Sequence, residues 1–125
     1  MHDPIVLVVD DDADICYLLQ QILDIRNINY VTAHSLQDAK RVLAAIRPTH
    51  IFLDMKLPDG CGFEYAQSIN QTFPTIKVVI TTSYFEDVEA RNYVHDKFSI
   101  MRKPFNLQDV EEALASGEMV ASNCP

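Results

Sequence analysis

Acidic, hydroxyl and basic side chains stand where separate apolar runs of this sequence end. Asp10 and Asp11 follow "IVLVV", Asp54 ends "HIFLD", Thr82 follows "IKVVIT", and Lys103 ends "SIMRK". Carboxylates held close together repel unless a cation lies among them, and hard oxygen ligands of this kind suit Mg²⁺. An ionised aspartate beside Mg²⁺ is a competent nucleophile toward a phosphoryl group, while a lysine neutralises charge on the transferred oxygens. If these residues meet in the fold, their types indicate phosphoryl transfer to an aspartate.

Five short runs have the character of β-strands. The predicted strands cover residues 4–10, 29–33, 50–54, 76–81 and 99–103. Continuous runs rich in valine and isoleucine are typical of strands that are covered on both faces, as in a parallel sheet. The second and fifth runs, "NYVTA" and "SIMRK", show this character more weakly than the other three.

Helical patterns lie between the predicted strands. In the first, "ICYLLQQI" places apolar residues at i, i+3, i+4 and i+7, which form one stripe along a helix. The second begins at "SLQD", where Ser35 and Asp38 resemble a capping box, and it ends before Pro48. Three more helices are predicted: after "GCG" at 60–62, within "YFEDVEARNYV", and from Asn106 onward.

The alternation of five strands with five helices predicts a fold of the α/β class. Such a chain forms a parallel sheet with right-handed crossovers and with helices on both faces. In an open sheet of this kind, ligands bind beyond the carboxyl ends of the strands, where the strand order switches. The acids, the hydroxyl and the lysine all stand at such ends. Asp12 or Asp14 is expected to cap the first helix, which leaves Asp10 and Asp11 to the site.

Composition limits the class of protein. The 125 residues suffice for one domain, and a formal net charge of −8 disfavours direct contact with nucleic acid or an anionic membrane. The three cysteines form no CxxC pair, so neither a disulfide framework nor a zinc site is indicated. The apolar runs are too short to cross a bilayer, and the first residues lack the pattern of a secretory signal. We therefore expect a cytoplasmic protein.

Taken in order, the motifs resemble those of the response-regulator receiver domain of two-component signal transduction, of the chemotaxis type. The family's acidic pair corresponds to Asp10 and Asp11, and its phosphoacceptor corresponds to Asp54 in "LDMKLPDGCG". Its hydroxyl residue corresponds to Thr82, a choice over the neighbouring threonine that rests on the family's spacing. Its lysine corresponds to Lys103 in "KPF", where the family usually has a cis peptide bond before the proline.

The resemblance covers residues 4 to about 116 and implies a specific architecture. The family has a flavodoxin-like (βα)5 receiver fold with strand order 2-1-3-4-5. We expect the receiver domain to occupy residues 1–118 and a C-terminal tail to occupy residues 119–125. The helical periodicity is lost after residue 115, which predicts a frayed end.

The resemblance also implies a function for each matched residue. Asp54 is expected to accept a phosphoryl group from a sensor histidine kinase or, in a phosphorelay, from a histidine phosphotransfer protein. Lys103 would pair with one phosphoryl oxygen, and Thr82 would move to hydrogen-bond another. The expected ligands of Mg²⁺ are Asp10, Asp11, Asp54 and the backbone carbonyl of Lys56.

A protein of this kind is a switch and not an enzyme in the usual sense. Its expected chemistry is limited to self-catalysed phosphotransfer and slow autodephosphorylation. Phosphorylation would alter the face formed by the fourth helix, the fifth strand and the fifth helix. That face would act on a downstream output protein or a fused effector domain, and it could support a phosphorylation-linked dimer.

Two features depart from the family pattern. Ile100 stands where the family commonly has a tyrosine or phenylalanine, three residues before Lys103, and "DK" at 96–97 replaces a pair of small residues. These changes leave the predicted phosphorylation site intact. They leave open how Ile100 takes part in output coupling.

Two bulky residues bear on the lifetime of the phosphorylated state. Lys56 and Tyr84 stand two positions beyond Asp54 and Thr82, where the resemblance places them beside the path of water to phosphorus. Bulky side chains there obstruct in-line attack, so a long-lived acyl phosphate is expected.

Two other classes of protein compete with a phosphorylated switch. A pseudo-receiver would keep the fold and act only as a protein-interaction module, but the polar set would then be a needless cost to stability. A flavodoxin-like binder of a small ligand would need a first strand-to-helix turn that cradles phosphate. The turn "DDDAD" has no glycine and repels phosphate instead.

Overall fold

A five-stranded parallel sheet organises the chain. The computed structural model describes residues 3–83 and 98–123, with residues 116–123 as backbone only. The strands are β1 (Ile5–Val9), β2 (Asn29–Ala33), β3 (His50–Asp54), β4 (Lys56–Leu57), β5 (Gly60–Cys61), β6 (Lys77–Thr82) and β7 (Ser99–Arg102). The order in the large sheet is β2-β1-β3-β6-β7, and every neighbouring pair is parallel. The predicted order is confirmed, because β6 and β7 are the fourth and fifth strands predicted from the sequence.

A short hairpin, formed by β4 and β5, lies between the third and fourth strands of the large sheet along the chain, so the predicted fourth and fifth strands are numbered β6 and β7. Lys56 pairs with Cys61 and Leu57 with Gly60, in antiparallel register. The sequence does not predict this hairpin, because a strand of two residues is too short to show an alternation of apolar and polar side chains.

Within the described residues, four helices pack on the sheet. They are α1 (Ala13–Ile25), α2 (Leu36–Ala45), α3 (Gly62–Thr72) and the C-terminal helix (Leu107–Asn123). They correspond to the first, second, third and fifth helices predicted from the sequence. The predicted fourth helix and the "DK" pair at 96–97 lie outside the described residues. Within residues 3–83 and 98–123, no helix combines the length and the apolarity needed to cross a membrane.

Side-chain caps fix where three of the helices begin. Asp12, Ser35 and Asn106 accept hydrogen bonds from backbone amides in the first turns of α1, α2 and the C-terminal helix, at 2.9, 3.1 and 2.9 Å. Such caps satisfy amides that have no partner within the helix. Asp12 is thus the cap of α1, and the two preceding aspartates remain outside the helix.

The core forms two layers, one on each side of the sheet, and β1 supplies both. Leu7 and Val9 pack in the layer beneath α2 and α3, whereas Val6 and Val8 pack in the layer beneath α1 and the C-terminal helix. All four side chains are fully buried. Because side chains alternate along a strand, a continuous apolar run is needed to fill both layers. The polar residues that follow these runs stand at the edge of the core.

The C-terminal helix extends beyond the predicted frayed end. It continues to Asn123, past the point at residue 115 where the apolar periodicity is lost. A helix that is already nucleated gains one hydrogen bond for each residue added, and glutamate, methionine and alanine are good helix formers. Apolar periodicity indicates which face is buried, and its loss does not by itself end a helix. The predicted boundary at residue 118 therefore falls within this helix.

Candidate functional site

Three carboxylates gather at the carboxyl ends of β1 and β3. One oxygen from each of Asp10, Asp11 and Asp54 lies within 4.8 Å of the others. Asp10 follows β1 directly and Asp54 ends β3, and these strands are parallel neighbours. Asp10 is 2% exposed and Asp54 is 8% exposed, whereas Asp11 is exposed. The fold thus brings together the three acids that the sequence places at the candidate site.

Lys103 reaches this cluster from the end of β7. Its ammonium lies 2.9 Å from Asp10 Oδ2 and 3.4 Å from Asp54 Oδ1. The amide of Lys103 donates to the carbonyl of Thr82 at 2.8 Å, which continues the pairing of β7 with β6. The bond between Lys103 and Pro104 is a cis peptide, as the resemblance predicts.

The pKa values of Asp54 and Lys103 reflect burial and close charges. Burial raises the pKa of Asp54 to about 6, and the charge of Asp10 adds to this, while Lys103 and the amide of Lys56 oppose it. Burial lowers the pKa of Lys103, but its contacts with Asp10 and Asp54 outweigh burial and raise it overall. The lysine is therefore held as a cation between two carboxylates.

The donor set fits a hard divalent cation. Asp10 Oδ2 is fully buried, and the ammonium of Lys103 lies 2.9 Å from it. Lys103 pairs with Asp10 and Asp54, and its one positive charge is smaller than the negative charge that the three carboxylates carry together when ionised. A carboxylate cluster of this kind, open to water on the side of Asp11, suits Mg²⁺, which keeps several of its own waters.

Two buried threonines end β6, and they face different layers. Thr81 pairs with Asp54 across the strands, and Thr82 follows it at the end of the strand. Val79 packs in the layer of α1, whereas Ile80 packs in the opposite layer. Because side chains alternate, Thr81 shares the face of Asp54, and Thr82 lies on the face of Ile80.

The segment after Asp54 folds back tightly on its backbone. The amide of Lys56 donates to the Asp54 carboxylate, and the amide of Gly62 donates to the carbonyl of Met55 at 2.8 Å. A β-carbon at Gly62 would overlap with the carbonyl oxygen of Asp54. Only glycine allows α3 to begin this close to the strand, which explains the glycine in "DGCG". Cys61, immediately before it, has an exposed side chain.

Asp59 is a polar residue near the site that sequence reasoning missed. Its Oδ1 accepts from the amide of Leu36 at 2.8 Å, and its Oδ2 accepts from the amide of Gln37 at 3.0 Å. These bonds lower the pKa of Asp59. The "PDG" motif signals a turn, but no local signal points to a partner in α2.

The histidines within the described residues lie outside the acidic cluster. His34 Nδ1 lies 3.1 Å from the carbonyl of Asp10, which the thiol of Cys16 also contacts at 3.3 Å. His50 Nε2 lies 3.1 Å from the carbonyl of Leu114 and so joins β3 to the C-terminal helix. His95 lies outside the described residues.

Comparison with known proteins identifies relatives of this chain. The family model of the response regulator receiver domain matches residues 6–115. The response regulator protein PilR of Pseudomonas aeruginosa is 31% identical over 111 residues, which are 88% of this chain and 25% of PilR. The DNA-binding transcriptional regulator NtrC of Escherichia coli is 29% identical over 124 residues, 98% of this chain and 26% of NtrC. This chain therefore spans about a quarter of the length of these two relatives.

Solved structures share the fold. The signal receiver domain of a putative Luxo repressor protein from Vibrio parahaemolyticus superposes with a TM-score of 0.83 at 25% identity, over 97% of this chain and 94% of that chain. A CheY-like response regulator receiver domain protein from Methanospirillum hungatei has a TM-score of 0.83 at 21% identity, over 99% and 100% of the two chains. The second similarity bears on the fold alone.

The family match covers both the core strands and the cluster at their ends. Receiver domains of response regulators are signalling switches of two-component systems and not classical enzymes, and they generally bind Mg²⁺ at an acidic pocket. Regulators such as NtrC and PilR imply a kinase as input and an effector as output. With its sheet order, its acidic cluster and its sequence match in agreement, this chain belongs to the response regulator receiver domain family.

Proposed function

We propose that this protein is a phosphorylation-driven switch whose phosphoacceptor is Asp54. A sensor histidine kinase or a histidine phosphotransfer protein would supply the phosphoryl group. The observation that carries the proposal is the meeting of three carboxylates with Lys103 at the carboxyl ends of the strands. Lys103 Nζ lies 3.4 Å from Asp54 Oδ1, where it can neutralise charge on an incoming phosphoryl group.

The proposed ligands of Mg²⁺ are Asp10, Asp11, Asp54 and the backbone carbonyl of Lys56. When bound, the ion supplies positive charge that keeps Asp54 ionised and that neutralises phosphoryl oxygens. Asp10 and Asp54 are buried and held by the ends of β1 and β3, so their positions are set before the ion arrives. Asp11 is exposed and can adjust to the ion's hydration shell.

The transfer needs little from the protein beyond position and charge. An oxygen of Asp54 attacks phosphorus in line, and the bond from phosphorus to the donor's imidazole nitrogen breaks. The imidazole nitrogen keeps the electron pair, and Asp54 becomes an acyl phosphate. Lys103 stays protonated throughout and pairs with a phosphoryl oxygen. When water attacks the same phosphorus, the bond from phosphorus to the Asp54 oxygen breaks, the carboxylate keeps the electron pair and inorganic phosphate leaves; this is the slow autodephosphorylation that we propose.

The signal leaves the site through the end of β6. Thr82 follows the residue that pairs with Asp54, and strand alternation assigns it to the other face of the sheet, so we propose that its hydroxyl moves to hydrogen-bond the phosphoryl group. The carbonyl of Thr82 accepts from the amide of Lys103, so the same movement acts on β7. We propose that this movement alters the face formed by the predicted fourth helix, β7 and the C-terminal helix.

The partners and the setting follow from this function. A histidine kinase or phosphotransfer protein provides the input, and a downstream protein or a fused effector domain receives the output. Dimerisation linked to phosphorylation is one form that the output could take. We propose a cytoplasmic protein with its receiver domain at residues 1–118 and a tail at 119–125, without direct contact with nucleic acid or membrane.

Phosphorylation by a small donor tests the proposal. Incubation with Mg²⁺ and acetyl phosphate should add one phosphoryl group, measured as intact mass, and Asp54→Asn should abolish it. Omission of Mg²⁺ should also abolish it. A wild-type protein that takes up no phosphoryl group and binds no Mg²⁺ is instead a pseudo-receiver, and the proposed switch is then wrong.

A further inference from the structure

The turn beyond Asp54 is attached to the beginning of α2 at two points. Asp59 accepts from the amides of Leu36 and Gln37, which stand in the first turn of α2 and have no partner within the helix. Gly60 brings the same turn against α2. Its φ is +155°, and a β-carbon there would lie 2.7 Å from Leu36 Cδ1.

The turn is also joined to the phosphorylation site. The β4–β5 hairpin pairs Leu57 with Gly60 and Lys56 with Cys61, so the position of the turn sets the position of Lys56. The amide of Lys56 donates to the Asp54 carboxylate. A series of hydrogen bonds therefore runs from the amides of α2 to the Asp59 carboxylate, across the hairpin, and from the amide of Lys56 to the Asp54 carboxylate.

We propose that Asp59 is a positioning residue for the phosphorylation site. It fixes the hairpin on α2, so that the amide of Lys56 meets the Asp54 carboxylate and the carbonyl of Lys56 is presented to Mg²⁺. The inference rests on the proposed function, since Lys56 is there a ligand of the ion. Asp59 itself contacts neither the ion nor the phosphoryl group.

A simple helix-capping role makes a different prediction. Ser35 caps the same helix end, accepting from the amide of Asp38 at 3.1 Å, and it belongs to no part of the hairpin. Ser35→Ala removes capping from α2 and leaves the hairpin attached. If Asp59 acts only through helix stability, Ser35→Ala and Asp59→Ala should affect the site equally.

The test is a Mg²⁺ titration without phosphodonor, followed by amide NMR, on wild type and four variants. Asp59→Ala removes both hydrogen bonds, and Asp59→Asn removes one of them together with the charge. Gly60→Ala keeps the charge but strains the turn, through the positive φ of Gly60 and the close approach to Leu36 Cδ1. Ser35→Ala is the matched control. Hydrogen exchange of the Lys56 amide in the metal-free proteins gives a second readout that does not depend on metal.

We expect the Kd for Mg²⁺ to rise about tenfold in Asp59→Ala, the lower end for groups that orient metal ligands. The Kd of Asp59→Asn should lie between those of wild type and Asp59→Ala. Gly60→Ala should also raise the Kd, and Ser35→Ala should have the Kd of wild type. Hydrogen exchange of the Lys56 amide should be faster in those variants whose Kd for Mg²⁺ is higher, and it should be unchanged in Ser35→Ala. At saturating Mg²⁺ the phosphorylation rate of Asp59→Ala should recover toward wild type.

Three results would overturn the inference. Asp59→Ala could bind Mg²⁺ as tightly as wild type, or Ser35→Ala could weaken binding as much as Asp59→Ala. Equal weakening in both Asp59 variants, with Gly60→Ala unchanged, would indicate that charge alone matters. Failure of wild type to bind Mg²⁺ is a separate outcome, because it contradicts the proposed function as well.

Discussion

Asp10 and Asp54 place two buried carboxylates at the ends of neighbouring parallel strands, and the first raises the pKa of the second. Burial is the larger cause, and together they bring Asp54 from an ordinary value of 3.8 to about 6 in the metal-free fold. Between these values the folded protein binds more protons than the unfolded chain does. The contribution of Asp54 to stability therefore falls as pH rises through that window and stays low above it.

Asp54→Asn should accordingly stabilise the metal-free protein at neutral pH. The substitution removes a charge that burial and Asp10 disfavour, so the free energy of unfolding should rise by on the order of 1–3 kcal/mol. Below the ordinary pKa of 3.8 the gain should vanish, because wild-type Asp54 is then protonated in both states. Urea unfolding in EDTA at a series of pH values measures this. Asp3→Asn, at an exposed position, is the control, and an Asp54→Asn variant no more stable than wild type contradicts the argument.

Lys103→Met should destabilise the fold even though it removes a charged side chain. Asp10 Oδ2 would lose its ion-pair partner while remaining buried, and breaking such a pair costs about 3–5 kcal/mol. Adding Asp10→Asn should recover most of this loss, because the orphaned charge is removed. Urea unfolding of the metal-free proteins measures the stability of the single and the double variant. Lys40→Met, which replaces an exposed lysine, is the control. If the double variant is as unstable as the single one, the two residues are not coupled.

The acyl phosphate on Asp54 should decay slowly. Lys56 and Tyr84 occupy the two positions that the resemblance places beside the path of water, and both are bulky. Lys56→Asn and Tyr84→Ala should each speed hydrolysis by about tenfold, because attack on phosphorus requires an aligned water. Loss of the phosphorylated mass with time measures the rate. Unchanged decay in both variants would exclude the shielding role; the structure around Tyr84 lies outside the described residues.

Ile100 should fill the same space in both signalling states. It pairs with Ile80 and packs, half-buried, in the core layer that also holds Phe98. A β-branched side chain is stiff and lacks the hydroxyl of tyrosine, so it cannot exchange partners as an aromatic switch does. A beryllofluoride complex should therefore shift the amide NMR signals from Thr82 onward strongly and move the Ile100 methyl signals little.

Two variants separate Ile100 from Thr82 in this experiment. Thr82→Ala should reduce the amide shifts, because it removes the hydroxyl that is proposed to move and hydrogen-bond the phosphoryl group. Ile100→Ala should keep most of them while lowering the free energy of unfolding by about 2 kcal/mol, the cost of truncating a partly buried side chain. Large shifts at the Ile100 methyls with silent amides after Thr82 would show that isoleucine has taken over the switching role.

The acidic cluster could be predicted from the types of residue at the ends of the strands. The strand ends at Asp10 and Asp54 could be predicted because each apolar run must fill two core layers, and a polar residue therefore marks where the core stops. Parallel pairing then brings these ends together. Lys103 could be placed by the same argument, since β7 ends beside β6.

Other features depend on contacts that no local pattern records. Asp59 reads as an ordinary turn residue, and its bonds to α2 cross 23 and 22 positions of the chain. The hairpin of Lys56 and Cys61 is too short to show periodicity. Likewise, the helix through Asn123 continues by backbone hydrogen bonding after its apolar stripe has ended. These features required the three-dimensional positions of their partners.

The exposed thiol of Cys61 makes the site accessible to a fluorescent reporter. It lies on the hairpin, opposite Lys56 and next to the glycine that begins α3, whereas the thiol of Cys16 is buried. A maleimide dye would therefore react at Cys61 and leave Cys16 untouched, once Cys124 is replaced by serine. Because the dye would be attached to the segment that carries a proposed metal ligand, its emission should follow occupancy of the site in real time. A chain without tryptophan would thereby gain an optical signal that needs no radiolabelled phosphate.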